Sequence, residues 1–279
     1  MNALVGGGPV ALVGSGEYLP VMDGVEQALL AAGRSAVGTP AGTRPRFVQL
    51  ATAAAPEGAS SLARWHALGA AAAERAGAEQ VVVPVVDRAS ADDASLAALV
   101  GGAALIYLSG GNPGFLTETL AGTAVWRAIV AAWQAGAALA GCSAGAMALG
   151  ARVPRIRDLH APPIAGLGVV PGVEVIPHFD AFERRFPGLI AARAADPAPG
   201  VQLLGIDEDT ALVTGLGSVI DVPAGTSESS GTPSWTVMGR RSVWLLDPSD
   251  ATGALRQEFP VGATVLARQV LPPVMPAPG

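Results

Sequence analysis

Lysine is absent from this 279-residue sequence, so all 17 of its cationic residues are arginine. A substrate Schiff base, a pyridoxal-phosphate linkage and a Walker-type phosphate loop each require a lysine, and these three kinds of chemistry are therefore excluded. Charge of either sign is also scarce: the formal net charge is −6, and the sequence contains no basic stripe or run. Nucleic acid and anionic membrane surfaces are consequently not expected as partners.

Cysteine and histidine are almost as rare as lysine. The lone Cys142 excludes an intramolecular disulfide and a thiolate metal cluster within one chain, and the histidines are scattered at positions 66, 160 and 178. We therefore expect no metal site and no cofactor. The first residues carry no basic segment and no apolar run reaches membrane-spanning length, which predicts a cytoplasmic protein.

Short apolar runs alternate with Ala- and Leu-rich segments of helical period over the first 150 residues. This alternation predicts an α/β fold, with a mostly parallel sheet and helices on both of its faces. The predicted strands are Val10–Val13, Phe47–Ala51, Val81–Val86, Ala103–Leu108 and Ala137–Ala140. The predicted helices are Gly24–Ala32, Ala59–Ala76, Asp92–Leu99 and Ala124–Ala135.

Beyond residue 200 the pattern changes to short strands with little helix between them. The predicted strands here are Leu203–Ile206, Ala211–Val213, Val219–Val222, Trp235–Met238 and Val243–Leu246. They indicate an antiparallel extension of the sheet edge near the C-terminus. We expect one domain, with a core over about residues 9–222, a β extension over about 235–268 and a flexible tail over 270–279.

The stretch Gly141-Cys142-Ser143-Ala144-Gly145 follows a predicted strand and opens a helical segment. It fits the G-x-S-x-G pattern, in which small neighbours let a serine occupy a strained turn with its hydroxyl exposed. The N–H of Ala144 would then face an oxyanion formed at that serine. The alternative is a Gly- and Ala-rich turn that only lets a helix pack closely on the sheet.

A serine nucleophile needs a base, and His178 is the best-placed histidine. It ends the strand-like run Val173-Glu174-Val175-Ile176-Pro177, so it falls at the same sheet edge as Ser143. His66 lies inside a predicted helix, and His160 lies in a polar loop. The alternative for His178 is a structural histidine at a strand end.

The first predicted strand is followed by Gly14-Ser15-Gly16-Glu17. Leu19 stands where the third glycine of a dinucleotide-binding loop would fall, and no acidic residue closes the next strand. Nucleotide binding is therefore not expected.

Four segments together resemble the serine peptidases that include peptidase E and the cyanophycinases. They are Leu108-Ser109-Gly110-Gly111-Asn112, Gly141-Cys142-Ser143-Ala144-Gly145-Ala146, Pro177-His178-Phe179 and Gly205-Ile206-Asp207-Glu208-Asp209-Thr210-Ala211. The resemblance spans Val10 to about Val222. It implies the class I glutamine amidotransferase-like fold, which is flavodoxin-like.

The resemblance also implies roles for individual residues. Ser143 would be the nucleophile and His178 its base, while Gly111 would supply a second oxyanion N–H beside Ala144. The aspartate of the peptidase E branch matches Asp158, which is the preferred third member of the triad. Asp180, in His178-Phe179-Asp180, and Glu208 are the alternatives.

The same resemblance suggests the substrate. Asn112 is assigned to substrate binding. Arg184 and Arg185 follow the histidine as arginines do in cyanophycinases, and either of these two residues could bind a substrate carboxylate. Ile176 and Pro177 replace the acidic and glutamine residues of cyanophycinases, which argues against an arginine-bearing polymer as substrate. A solvated helix face is the alternative for both arginines.

We therefore predict a serine peptidase that cleaves a small, acidic peptide or isopeptide. The alternative is a non-peptidase of the same fold, either an amidase-like subunit or a small-molecule binding protein. The sequence leaves the oligomeric state open, and a homodimer is one alternative.

Overall fold

The computed structural model describes residues 7–155, 161–181, 188, 192, 199–216, 234–247 and 256–266. The strands of this part are β1 (Val10–Val13), β2 (Arg46–Leu50), β3 (Glu79–Val82), β4 (Ala103–Leu108), β5 (Ala138–Cys142), β6 (Arg152–Val153), β7 (Ile164–Ala165), β8 (Val173–Pro177), β9 (Gln202–Ile206), β10 (Thr210–Thr214), β11 (Ser234–Gly239), β12 (Ser242–Leu246), β13 (Arg256–Pro260) and β14 (Thr264–Leu266). The helices are α1 (Asp23–Ala36), α2 (Ala59–Arg75), α3 (Arg88–Ala91), α4 (Ala94–Ala98), α5 (Pro113–Leu120), α6 (Ala124–Gln134) and α7 (Ala144–Leu149), with 3₁₀ turns at Pro20–Met22 and Thr52–Glu57.

The main sheet has eight strands among the described residues, in the order β14-β11-β10-β1-β5-β4-β2-β3. The five strands from β1 to β3 in this order run parallel to one another. Strands β10, β11 and β14 continue the sheet in antiparallel pairing. The expected mostly parallel sheet with an antiparallel C-terminal extension is confirmed.

Successive side chains of β1 enter two different hydrophobic cores. Val10 and Leu12 pack in the core that α5, α6 and α7 cover, whereas Ala11 and Val13 pack in the core that α1 and α2 cover. Because side chains of a strand alternate between the two faces of a sheet, a strand that is apolar at every position must be covered on both sides. The three-layer arrangement follows from this pattern.

The strands beyond residue 200 divide between two sheets, which differs from the expected single extension. Strands β9 and β12 join β8 and β13 in a second sheet of order β13-β12-β9-β8, while β10 and β11 return to the main sheet. A short apolar run identifies a strand but does not identify its partner, so the sequence pattern alone could not separate the two sheets. The turn at residues 207–209 consequently crosses from one sheet to the other.

Two helices also differ from expectation. Helix α5 was not predicted; it begins where the Asn112 side chain accepts the Phe115 N–H and Pro113 takes the first helical position. The predicted helix Asp92–Leu99 is present in shorter form as α4, which Asp93 caps, and the additional short helix α3, capped by Asp87, precedes it. The predicted strand Val219–Val222 and the predicted flexible tail lie outside the described residues. Over the described part of the chain, every helix is too short or too polar to cross a membrane.

Candidate active site

The carboxyl ends of β1, β4 and β5 lie side by side in the main sheet. Val13 pairs with Cys142, and Leu108 pairs with Gly141, so the residues that follow these strands meet at one edge. That edge carries Ser143 and the loop Ser109–Asn112. The parallel pairing therefore brings together two segments that are about thirty residues apart in the chain.

Ser143 occupies a strained turn between β5 and α7. Its backbone has φ 49° and ψ −108°, and its N–H donates to the Val13 carbonyl at 2.9 Å. The turn requires glycine on both sides: a Cβ on Gly141 would lie 2.5 Å from the Gly145 carbonyl, and one on Gly145 would lie 2.3 Å from the Leu108 oxygen. A serine with positive φ in such tight surroundings is the geometry expected of a nucleophile elbow.

His178 contacts both Ser143 and an acidic residue. Its Nε2 lies 3.1 Å from Ser143 Oγ, and its Nδ1 lies 2.9 Å from Glu208 Oε1. Pro177 pairs with Ile206 in the parallel pair of β8 and β9, so His178 and Glu208 both follow the ends of neighbouring strands. With the proton on Nδ1 donated to Glu208, Nε2 accepts the serine hydroxyl.

The Asp180 carboxylate binds partners other than the His178 imidazole. Its Oδ1 accepts the Glu208 N–H at 2.9 Å, and its other oxygen forms an ion pair with Arg241. Asp180 therefore supports the backbone of Glu208 and does not itself occupy the Nδ1 side of the ring. Among the three acidic candidates, the described residues bring Glu208 to His178.

Four residues of the sequence analysis lie outside the described part of the chain. They are Asp158, His160, Arg184 and Arg185. His66 lies within α2, as expected from its sequence position, and burial lowers the pKa of its imidazole.

The loop Ser109–Asn112 exposes one amide, that of Gly111, at the site. Ser109 N–H donates to the Leu50 carbonyl at 3.0 Å, and Asn112 N–H donates to the Ala53 carbonyl at 2.8 Å. Gly111 has φ 138°, and a Cβ on it would lie 2.4 Å from the carbonyl of Ala53. Among the described residues, neither Gly111 N–H nor Ala144 N–H donates to a protein acceptor. Both amides remain available to an anion.

Cys142 is fully buried beside the serine and is not a competing nucleophile. Its thiol donates to Glu17 Oε2 at 2.7 Å. Burial, followed by the nearby Glu17 charge, raises the pKa of the Cys142 thiol well above its ordinary value. A thiol that keeps its proton inside the core is inert toward a substrate.

The profile of peptidase family S51 matches residues 58–220, which is more than half of the chain. A peptidase from an acI-B1 Actinobacterium, known from a crystal structure, is 38% identical, with a TM-score of 0.76 over 93% of this chain and 97% of that one. The chain belongs to peptidase family S51. It is a serine-type peptidase, as the sequence analysis predicted.

A second solved structure, described as a Peptidase E protein from Listeria monocytogenes EGD-e, is 16% identical and covers 74% of this chain and 94% of its own, with a TM-score of 0.49. No curated protein matches the sequence significantly.

A cavity of about 480 Å³ adjoins Gly111 in this S51 peptidase. Asn112, Glu57 and Arg155 are among its lining residues. Arg155 Nη2 lies 3.8 Å from Glu118 Oε1, and the two side chains are 49% and 61% exposed. An ion pair this long and this exposed is weak, so the guanidinium can turn toward an anion in the cavity.

The described residues contain no cluster of three or more His, Cys, Asp or Glu side chains placed to hold a metal ion. Of the acidic residues that the sequence analysis named, Glu208 is the one that the described residues place at His178 Nδ1. Glu208 lies in the segment Gly205–Ala211 that carried the family resemblance, so the signal was present in the sequence. Only the pairing of β8 with β9 identifies which of its acidic residues faces the histidine.

Proposed function

We propose that this enzyme hydrolyses a small, acidic peptide or isopeptide through an acyl-enzyme on Ser143. One observation carries the proposal: a single imidazole lies 3.1 Å from the Ser143 hydroxyl on one side and 2.9 Å from a carboxylate on the other. These are the contacts that a serine nucleophile, its base and an orienting acid require.

In the first half-reaction, Ser143 Oγ attacks the scissile carbonyl carbon while its proton passes to His178 Nε2. The Oγ–C bond forms and the carbonyl oxygen becomes an oxyanion. Collapse of this intermediate breaks the C–N bond, and His178 returns the proton to the departing amine. Water then attacks the acyl-enzyme with His178 again as base, releasing the acid and restoring Ser143.

The Gly111 and Ala144 amides are the proposed oxyanion donors. Their N–H groups belong to two segments at the same sheet edge as Ser143, and among the described residues neither is used by another acceptor. Preorganised donors of this kind stabilise charge that develops in the transition state.

Glu208 is the proposed orienting acid, in place of the expected Asp158. Its 2.9 Å contact with Nδ1 supports this role, because a carboxylate there fixes the tautomer and stabilises the imidazolium.

The acidic substrate is supported by the cavity beside Gly111. Arg155 contributes a guanidinium to its wall, which suits a substrate carboxylate, and Asn112 is the proposed neutral contact. Arg184 and Arg185, outside the described residues, remain proposed substrate ligands.

The mechanism is tested with a fluorophosphonate probe and a panel of dipeptides that begin with Asp, isoAsp, Asn or a neutral residue. We expect the probe to label the wild-type enzyme and Cys142→Ala but not Ser143→Ala, and we expect Ser143→Ala to lose at least about 10⁴-fold in kcat. An active Ser143→Ala together with an inactive Cys142→Ala would refute the assignment.

The same panel tests Arg155. We expect Arg155→Gln to raise KM about tenfold, or about 1.4 kcal/mol, for the preferred acidic dipeptide and to leave KM for neutral dipeptides unchanged. Arg44→Gln is the matched control, because Arg44 is an exposed arginine paired with Glu74 outside the cavity. An equal change in KM for acidic and neutral dipeptides would count against a carboxylate subsite.

A further inference from the structure

Glu17 is a buried carboxylate that the proposed reaction does not use. It closes the segment Gly14-Ser15-Gly16-Glu17 after β1, and only 6% of its surface is exposed. A carboxylate removed from water is costly unless hydrogen bonds compensate it. The partners of Glu17 therefore show what the residue holds in place.

Both oxygens of Glu17 accept hydrogen bonds from segments that carry the site. Oε1 accepts the Gly110 N–H at 2.9 Å, and Oε2 accepts the Cys142 thiol at 2.7 Å. Gly110 directly precedes Gly111, and Cys142 directly precedes Ser143. One side chain thus joins the loop of one proposed oxyanion donor to the turn of the nucleophile and the other donor.

The contact is too close to be incidental. A Cβ placed on Gly110 would lie 2.9 Å from Glu17 Oε1 and 3.4 Å from the Ser143 Cβ, so Gly110 lies close to both the carboxylate and the serine. Together with the Ser109 and Asn112 amides, which donate to Leu50 and Ala53, the Gly110 amide is the third fixed N–H of this loop. Of the four N–H groups in the loop, only that of Gly111 has no acceptor among the described residues.

We propose that Glu17 is a positioning residue, whose carboxylate ties Gly110 to Cys142 so that the Gly111 and Ala144 N–H groups converge on one oxyanion. This inference rests on the proposed function. Misplacing a donor by a fraction of an ångström weakens a hydrogen bond to the transition state more than it weakens substrate binding. Loss of Glu17 should therefore slow the chemical step and leave binding nearly unchanged.

The test is the inactivation of the purified full chain by a fluorophosphonate probe, with kinact and KI measured separately. This readout needs no knowledge of the substrate, and the phosphonyl oxygen occupies the position of the oxyanion. We expect Glu17→Ala to lower kinact about 100-fold, the loss typical of one oxyanion donor, with KI changed less than threefold.

Glu17→Gln keeps the side-chain volume and one acceptor for the Gly110 N–H, but it presents an NH₂ group to the thiol. We expect it to recover at least tenfold of the kinact lost in Glu17→Ala. If Glu17→Ala does not fold, Glu17→Gln alone tests the positioning role. A kinact at least threefold below wild type with unchanged KI would then support the role, and a smaller loss of kinact would overturn it.

Glu26→Gln is the matched control. Glu26 is an equally buried carboxylate of the same region, but its Oε1 accepts the Tyr18 N–H and does not contact the site. We expect its kinact to stay within twofold of wild type. A kinact for Glu17→Ala within tenfold of wild type, or equal losses in Glu17→Ala and Glu26→Gln, would overturn the inference.

Failure of the proposed function gives a different result. In that case Ser143→Ala would still react with the probe, or the wild-type enzyme would not react at all. If Ser143→Ala is inert while Glu17→Ala reacts at the wild-type rate, only the role of Glu17 is refuted.

Discussion

The two halves of the candidate site are held in different ways. The serine half, residues 109–112 and 142–145, is fixed by backbone hydrogen bonds and by glycines against which no Cβ would fit. The histidine half, residues 178–180 and 207–209, is fixed by side chains: Asp180 and Arg241 hold Glu208, and Ser242 and Trp244 hold Asp207. Two of its side chains are also partly exposed, His178 at 19% and Glu208 at 32%.

This difference predicts that substitutions in the serine half change mainly stability, whereas substitutions in the histidine half change mainly the proton chemistry. A substitution in the serine half must displace the packed backbone of the central sheet, so it costs folding free energy. A polar substitution in the histidine half removes a hydrogen bond near solvent, which costs little stability but changes the proton chemistry. The halves meet directly where Ser143 Oγ lies 3.1 Å from His178 Nε2. Beside this contact, the end of β1 binds the 207–210 turn, because Gly14 N–H donates to the Thr210 carbonyl and Asp209 N–H donates to Ser15 Oγ.

The largest effect is expected from Glu208→Gln in the histidine half. The amide keeps the size of the side chain but no longer favours the imidazolium or the correct tautomer, so kcat should fall about 10³- to 10⁴-fold. The urea-unfolding free energy should change by less than about 1 kcal/mol, because Glu208 is partly exposed. Steady-state kinetics and urea titration measure the two quantities.

Asp180→Asn and Asp158→Asn are the controls for Glu208→Gln. Asp180 acts through the Glu208 backbone, so its amide variant should lose less than about tenfold in kcat, or about 1.4 kcal/mol of barrier. A loss in Asp158→Asn as large as that in Glu208→Gln would return the role of orienting acid to Asp158.

The next effect is expected from Gly145→Ala in the serine half. The added Cβ would lie 2.3 Å from the Leu108 oxygen, which belongs to the central strand β4 and cannot move freely. Overpacking of this kind should lower the free energy of unfolding by about 3 kcal/mol, measured by urea titration.

Gly24→Ala is the matched control for Gly145→Ala. Both glycines are the second residue of a helix, but a Cβ on Gly24 meets nothing within 4 Å. We expect Gly24→Ala to be neutral or to stabilise by at most about 1 kcal/mol. Equal destabilisation by the two variants would contradict packing as the factor that fixes the serine half.

The same division explains what the sequence could predict. Ser143, Gly111 and the parallel core follow from local patterns, because a buried strand, a glycine-rich turn and a helix are each encoded within about ten residues. The placement of Glu208 beside His178 depends on the pairing between β8 and β9, whose paired residues Pro177 and Ile206 are 29 positions apart. Three acidic residues lay within reach of His178 in the sequence, and no local pattern distinguishes Glu208 from Asp180 or Asp158.

The choice of pairing partner also explains why the second sheet could not be predicted from the sequence. The runs that became β9 and β10 were both recognised as strands, yet the turn at residues 207–209 sends them to different sheets. That turn is fixed by contacts with Asp180, Ser242 and Ser15, which are all distant in sequence. The contacts that place Glu208 are therefore tertiary contacts, and sequence periodicity cannot predict them.

The last effect is expected from Glu26→Gln and appears only as the pH changes. It tests whether the pH dependence of stability comes from the interior behind the serine half. Burial raises the pKa of Glu26 to about 7, and although the Tyr18 N–H opposes this shift, Asp23 adds to it. Its Oε2 has no hydrogen-bond partner among the described residues. The folded state thus keeps a proton on Glu26 that the unfolded chain releases near pH 4.5.

Because the folded state binds more protons between these two values, stability must fall as the pH rises from about 4.5 to about 7. The full penalty above pH 7 is at most about 3 to 4 kcal/mol, at 1.36 kcal/mol per pKa unit. Glu26→Gln does not titrate, so its unfolding free energy relative to wild type should be higher at pH 8 than at pH 5, by up to this amount. Urea titrations at both pH values measure the difference, with the exposed Glu74→Gln as control. If the unfolding free energies of Glu26→Gln and wild type differ by the same amount at pH 5 and pH 8, folding does not raise the pKa of Glu26, and the prediction is wrong.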